Sequence, residues 1–381
     1  MNGRELEKTL QLVKELVSFP SVSEFSNESV SQFVADALVQ LHFDLEWHSY
    51  VDAKGYTKVS LVAKRGTGQG GVAFLAHTDV VPAEDWSVQN CGPFEPKEIG
   101  ERLYGRGTCD MKGSLGCAIQ AVKAIERHSQ THPIYFVVTS DEEVGMLGAK
   151  LVNTNSKYFQ EMVENETVGI VGEPSQLKVF HAHKGVQRLS VRAHGRSAHT
   201  STNEGVNANY QLIPALPGLL AIREASHSNP VYRDGNFDPP TLSWNMTITN
   251  EPEAVNVTTS LAQVNIFLRT MPSVDHQPLI TAIEQLCEAH QLEIELQEAV
   301  RPWQVPPSAD WVQEMLRLVG RTESSSVCFA TDAGILQRLK KLIICGPGDI
   351  QQAHRCDEWI SFDQLEKGVD VFRRAFQHWA C

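Results

Sequence analysis

Short apolar runs alternate with amphipathic stretches through the N-terminal half of the chain. Leu6, Leu10, Val13 and Val17 recur at helical spacing with Glu and Lys between them, which predicts a surface helix of the mature fold rather than a signal peptide. A second helix is expected over residues 27–41, opening after Ser26 as N-cap, and a third over residues 114–127. Residues 45–49, 59–63, 72–76, Ile134–Thr139 and Val168–Val171 read as strands. Runs apolar on both faces fit a buried, mainly parallel sheet with helices outside. Gly66-Thr67-Gly68-Gln69-Gly70-Gly71 matches the dinucleotide pattern literally, but it precedes a strand instead of opening a helix. It is expected to be the turn of a hairpin between the strands at 59–63 and 72–76.

The pattern changes after about residue 180. A strand at 188–193, a helix at 207–222, strands at 242–249 and 261–268, a helix at 278–290 and a strand at Glu293–Leu296 give the order βαββαβ, the ferredoxin-like arrangement. Residues 180–300 therefore read as a domain inserted between two halves of a first one, 1–179 and 301–381. After a Pro-rich join at 302–307, a helix at 311–319, a strand at 342–345 and a helix at 362–379 complete the first domain.

Composition narrows the function classes. The 33 basic and 46 acidic side chains give a net charge of −13, which argues against nucleic-acid or acidic-membrane partners. No apolar stretch approaches the roughly 18 residues of a membrane span. The 8 cysteines are scattered with no Cys-x-x-Cys pair, which suits a reducing cytoplasm. Cys109 and Cys356 are read as neighbours of a site, not as ligands.

The chemistry sits where the apolar runs end. The run at 72–76 leads into His77-Thr78-Asp79, Ile134–Thr139 into Asp141-Glu142-Glu143, Val168–Val171 into Gly172-Glu173-Pro174, and 342–345 into Gly346-Pro347-Gly348 and then His354. In an open α/β sheet the carboxyl ends of the strands share one rim, and Asp110 approaches it from a loop before a helix. His with Asp and Glu is a donor set for a first-row metal. A carboxylate such as Asp110 is able to bridge two cations. Adjacent acids cannot all face one way, so Glu143 can serve as a ligand while Glu142 faces the water as general base. Asp79 is expected to orient the His77 imidazole through its carboxylate. Asp332, in Thr331-Asp332-Ala333, either meets a cation in a substrate loop or caps the turn that follows. No His-Glu-x-x-His, Gly-x-Ser-x-Gly or phosphate loop is present.

These residues resemble a family of dinuclear metallohydrolases that includes acetylornithine deacetylase, succinyl-diaminopimelate desuccinylase, aminoacylase and the glutamate carboxypeptidases. The segments that carry the resemblance are Ala76-His77-Thr78-Asp79-Val80-Val81-Pro82, Gly105-Arg106-Gly107-Thr108-Cys109-Asp110-Met111-Lys112-Gly113, Asp141-Glu142-Glu143-Val144-Gly145, Gly172-Glu173-Pro174 and Gly195-Arg196-Ser197-Ala198-His199. The stretch from Cys345 to Glu358 is most similar to the acetylornithine deacetylase branch. The resemblance implies an α/β fold: a metal-binding catalytic domain with a mainly parallel sheet, plus an inserted ferredoxin-like lid and dimerisation domain. It implies that His77, Asp110 and Glu173 hold one metal and Asp110, Glu143 and His354 the other, with Glu142 as base and Asp79 as orienter. The metals are two divalent ions, zinc first, with cobalt or manganese as alternatives. His199 would stabilise the oxyanion in a partner's site, and Arg269 and Asn256 would take a substrate carboxylate, for which a planar guanidinium is suited. The expected activity is removal of an acyl group, acetyl first, from an N-acyl amino acid in the cytoplasm by a homodimer, with N-acetylornithine of arginine biosynthesis the leading substrate. Desuccinylase, other aminoacylase, carboxypeptidase or dipeptidase activity is the alternative within the family, and a non-catalytic metal-binding assembly protein the alternative outside it.

Overall fold

A computed structural model describes residues 3–297 and 299–381. The chain forms two compact units. One comprises the chain up to His181, Val305–Ser325 and Thr331–Cys381; the other comprises Ala182–Gln304 and Ser326–Ala330. The sequence places residues 326–330 with the first part, whereas here they group with the second. Ser326 Oγ donates to the Asn236 carbonyl there, and Cys328 Sγ lies 3.1 Å from the Asp238 carbonyl.

In the first unit the strands run in the order Asp44–Val51, Thr57–Arg65, Ile134–Thr139, Val72–His77, Val168–Val171, Lys341–Ile344. The last four are mutually parallel; Thr57–Arg65 runs antiparallel to them, and Asp44–Val51 antiparallel to Thr57–Arg65. The expected hairpin across Gly66–Gly71 is therefore wrong: Ile134–Thr139 lies between its two arms, antiparallel to one and parallel to the other. The glycines serve instead to let the connection pass the 130–133 segment. Gly71 has φ +78, and a Cβ there would meet the Pro133 carbonyl oxygen at 2.0 Å.

Alternation along Ile134–Thr139 sets the two faces of this sheet. Phe136 packs with Phe74 and with Phe376 of the Phe362–Ala380 helix, all buried, while Tyr135 on the other face hydrogen-bonds Glu161 of the Lys157–Glu164 helix. The Lys157–Glu164 and Leu147–Asn155 helices have no counterpart in the sequence reading. The second helix begins at Glu28 with Asn27, not Ser26, at its cap; the Asn27 amide is engaged with Val59 and Thr78 instead of capping. A small sheet unseen in sequence, with Arg102–Tyr104 between Lys97–Ile99 and Trp359–Ser361, flanks the loop that carries Asp110. Among the described residues no helix is long and apolar enough to cross a membrane, and all 8 cysteines are free.

The second unit contains an antiparallel sheet in the order Ser243–Glu251, Leu261–Thr270, Gly185–His194, Glu293–Leu296. With its intervening helices this is the βαββαβ arrangement. The helix expected over 207–222 is broken into Asn209–Leu212, a 3-10 turn Ile213–Ala215 and Leu216–Ser228, because Pro214 and Pro217 lack the amide donors a continuous helix needs. Leu189, Val191, Val264, Ile266, Leu268 and Ile283 form its core.

His183 in this unit is fully buried. Its Nδ1 donates to the Lys184 carbonyl at 2.8 Å, and its Nε2 has no partner. Burial pushes its pKa down to about 4. A depressed histidine leaves stability intact above the unfolded value near 6.5 and forfeits it as pH falls toward 4, on the order of 3 kcal/mol in all. Urea unfolding followed by circular dichroism from pH 7 to 4 should show that slope, and His183→Phe should flatten it. Superimposable pH profiles for the two proteins would exclude His183 as the cause.

Candidate metal centre

The carboxyl ends of the four parallel strands share one rim, held in register by pairs such as His77 with Thr139 and Ile344 with Val171. Two groups of side chains there could each hold a cation: His77, Asp110 and Glu173, and Asp110, Glu143 and His354. Within each group the donor atoms lie within 4.8 Å of one another. Asp110 belongs to both, by different oxygens. Its Oδ1 lies 3.2 Å from His77 Nε2, and its Oδ2 lies 3.4 Å from His354 Nε2. Glu173 Oε1 stands 3.9 Å from His77 Nε2, and Glu143 Oε2 3.1 Å from His354 Nε2. The first group is buried; in the second, His354 is exposed on a left-handed backbone with φ 62.

The electrostatics fit a cation. Burial raises Glu173 well above the usual carboxylate range, and the charges of Asp110 and Glu143 raise it further. Glu143 is raised by burial and by Asp110. Burial lowers the tendency of His77 to charge, but its hydrogen bond to Asp110 and the nearby Asp79, Glu173 and Glu142 lift it well above its ordinary value. Hydrogen bonds to Asp110 and Glu143 push His354 up to about 10. A cluster of acids that must recruit protons to neutralise itself is suited to a divalent ion in their place. The donor set of nitrogen and carboxylate oxygen agrees with zinc or another first-row metal. Neither group contains a cysteine; Cys109 Sγ instead lies 3.2 Å from the Asp349 carbonyl.

Glu142 stands outside both groups. Burial raises its pKa well above the usual value, and the charge of Glu173 adds to the rise. Its backbone is held by Asp79: the Glu142 amide donates to Oδ1 at 3.2 Å and the Glu143 amide to Oδ2 at 3.3 Å. Ser23 Oγ donates to the same carboxylate at 2.7 Å. His77 Nδ1 donates to the Asp79 carbonyl at 2.9 Å, with the Asp79 carboxylate 3.6 Å away. The orienting contact expected from the side chain is thus made by the main chain, and the carboxylate anchors the turn bearing Glu142 and Glu143. Asp141, left-handed at φ 58, secures that turn from behind through buried Lys58, 2.9 Å from its Oδ1, and through Tyr50.

Asp332 is buried among these groups and accepts from Thr139 Oγ1 at 2.5 Å, while its Oδ1 has no partner. Burial pushes its pKa up to about 6. Thr331, not Asp332, caps the 3-10 turn that follows. Ser23, Lys58 and Glu358 were invisible as site residues in sequence. Lys58 and Ser23 lie in segments without a motif, and Glu358 lies inside one whose local pattern does not reveal its partners.

His199 and Asn256 are exposed in the second unit and meet there: His199 bridges Val257, and the Asn256 carbonyl accepts from the Thr200 amide at 3.2 Å. Arg269 lies over the Phe267 ring at 4.9 Å, toward the opposite end of the Leu261–Thr270 strand. Leu261 pairs with His194 and Arg269 with Val186, so roughly 25 Å separates the two ends at about 3.3 Å per residue. One chain does not bring Arg269 to His199 and Asn256.

Comparison with known proteins agrees with this geometry. The model of peptidase family M20/M25/M40 matches residues 73–378. Acetylornithine deacetylase of Proteus mirabilis is 29% identical over 378 residues, covering 95% of this chain and 94% of that protein. Acetylornithine deacetylase of Edwardsiella ictaluri is 30% identical over 390 residues, covering 98% of each. Among solved structures, the dipeptidase Dug1p of Saccharomyces cerevisiae superposes with a TM-score of 0.75 at 16% identity, over 98% of this chain and 97% of that one. The M20 family metallo-carboxypeptidase Sso-CP2 of Sulfolobus solfataricus gives 0.73 at 14% identity over 99% of each. These two share the α/β fold with its mainly parallel sheet. With a family match over most of its length and a cage of acids and imidazoles at the strand ends, the chain belongs to peptidase family M20/M25/M40 and is a metal-dependent amidohydrolase.

Proposed function

We propose that the chain removes the acetyl group from an N-acetylated amino acid, with N-acetylornithine the first substrate and a place in arginine biosynthesis. The observation that carries the hydrolytic reading is a pair of ligand groups sharing Asp110, beside a carboxylate, Glu142, that belongs to neither. The acetyl preference rests on the relatives' names and on their near full-length match. His77, Asp110 and Glu173 would hold one ion and Asp110, Glu143 and His354 a second, zinc first, with cobalt or manganese able to use the same donors. Divalent ions held there supply a Lewis acid that polarises the amide carbonyl and acidifies water.

Glu142 takes a proton from the attacking water and passes it to the amine nitrogen as the C–N bond breaks, leaving acetate and a free amine. As a carboxylate outside both ligand groups, it is free for both steps. Asp79 fixes the main chain of Glu142 and so the direction of that carboxylate. His199 stabilises the oxyanion from a second copy of the chain, while Arg269 and Asn256 take the substrate carboxylate. The distance between Arg269 and the His199–Asn256 pair supports the two-copy arrangement, since a substrate touching all three must draw them from two chains. The exposed apolar side chains Val206, Tyr210, Ile213 and Ile248 on the second unit support a homodimer. Free cysteines throughout support a cytoplasmic location.

The test is turnover of N-acetylornithine, N-acetylcitrulline, neutral acetyl-amino acids, succinyl-diaminopimelate and a dipeptide side by side. N-acetylornithine should give the highest kcat/KM. A higher value for succinyl-diaminopimelate or the dipeptide would replace the acetyl assignment with that acyl class.

A further inference from the structure

The second ligand histidine and a buried carboxylate arrive on one short segment. Glu358 follows His354, and its carboxylate is 1% exposed. Four donors converge on it. Arg106 Nη1 and the Gly107 amide reach Oε2 at 2.8 and 2.9 Å, and the Cys109 and Asp110 amides reach Oε1 at 2.8 and 3.0 Å. A buried charge persists only where its acceptor sites are filled, and here they are filled by the loop that carries Asp110. The turn depends on Gly107 at φ +87, where a Cβ would stand 2.8 Å from Val80. The main chain closes the same contact: the Gly105 amide donates to the Glu358 carbonyl at 3.1 Å, and Trp359–Ser361 pairs with Arg102–Tyr104.

We propose that Glu358 is a positioning residue for the metal centre: it clamps the peptide of Asp110 so that the two oxygens of Asp110 face the two ligand groups before any cation arrives. The inference rests on the reading of those groups as metal ligands. Asp110 stands among Glu143 and Glu173, whose charges oppose its approach. Without the clamp, only the His77 and His354 imidazoles and the incoming ion would hold the loop against that repulsion. Glu358 touches no reacting atom, so its effect falls on metal affinity and not on the chemical step.

The test uses the full chain, stripped and then titrated with Co(II) against a competing chelator, with visible absorption of the bound cobalt and the thermal midpoint of the metal-free protein read alongside. Glu358→Gln keeps the volume but puts an amide where Arg106 and the Gly107 amide need an acceptor. It is expected to weaken Co(II) binding about 10–100-fold, and excess cobalt should restore kcat. Arg106→Lys, which keeps the charge and leaves the peptide contacts, is expected to shift affinity in the same direction by less, and it serves if the glutamine variant does not fold. A lower midpoint with cobalt affinity within about twofold of the parent would make Glu358 a fold residue and overturn the proposal. Absence of cobalt binding by the unaltered protein would instead remove the metal reading on which it rests.

Discussion

Replacing Glu142 with glutamine should lower kcat by about 10²–10⁴-fold, the range expected for loss of a general acid–base, while cations bound per chain stay unchanged. Glutamine preserves the shape of the side chain and the amide contact of residue 142 to Asp79, so the turn and its neighbour Glu143 remain in place. Only the ability to accept and return a proton is lost. A general base must be ionised to accept the proton, so the acid limb of a pH–kcat/KM profile for the metal-loaded parent should vanish in the residual activity of the variant. Elemental analysis beside single-turnover kinetics decides the matter. Near-normal turnover at normal metal content would move the base elsewhere.

Asp110→Ala should have the second large effect, and on binding instead of turnover. One carboxylate faces His77 by one oxygen and His354 by the other, so its removal takes a donor from both groups at once. Cation affinity should fall by more than the roughly 10–100-fold that loss of an outer partner costs. Removal of His354 would strip only the group that contains it. The metal-free form of Asp110→Ala should be no more stable than the parent, since His77 and His354 lose the carboxylate that faces both of them, although Glu143 and Glu173 lose a repelling neighbour. Dialysis against a weak chelator followed by metal analysis would show it. Full retention of cations by Asp110→Ala would mean that the shared oxygen geometry has no bearing on binding.

The strand ends were legible in sequence because each ends a run apolar on both faces and opens on polar residues; the choice of His77, Glu143 and Glu173 among those residues came from the family resemblance. The order of the strands was not legible. Gly66–Gly71 has the composition of a hairpin turn, but pairing of Thr57–Arg65 with Ile134–Thr139 is a contact between distant segments, and no local signal announces it. The same limit hid the second function of Asp79, whose carboxylate partners lie at Ser23, Glu142 and Glu143. It also hid the separation of Arg269 from Asn256, which follows from sheet register and cannot be read from residue types. Buried charges such as Lys58 and Glu358 look like solvated ones in a sequence, because burial is a property of the whole fold.

His354, Glu358 and the Lys341–Ile344 strand all follow the second unit in the chain. As the polypeptide leaves the ribosome, its earlier parts begin to fold first, and the second unit has everything it needs except Ser326–Ala330 well before the cage is closed. His77, Asp110 and Glu173 precede the insert in the chain, whereas the group of Asp110, Glu143 and His354 is complete only after it. The second group, and the Glu358 contacts that hold the loop of Asp110, are thus the parts of the centre that wait on the residues beyond the insert.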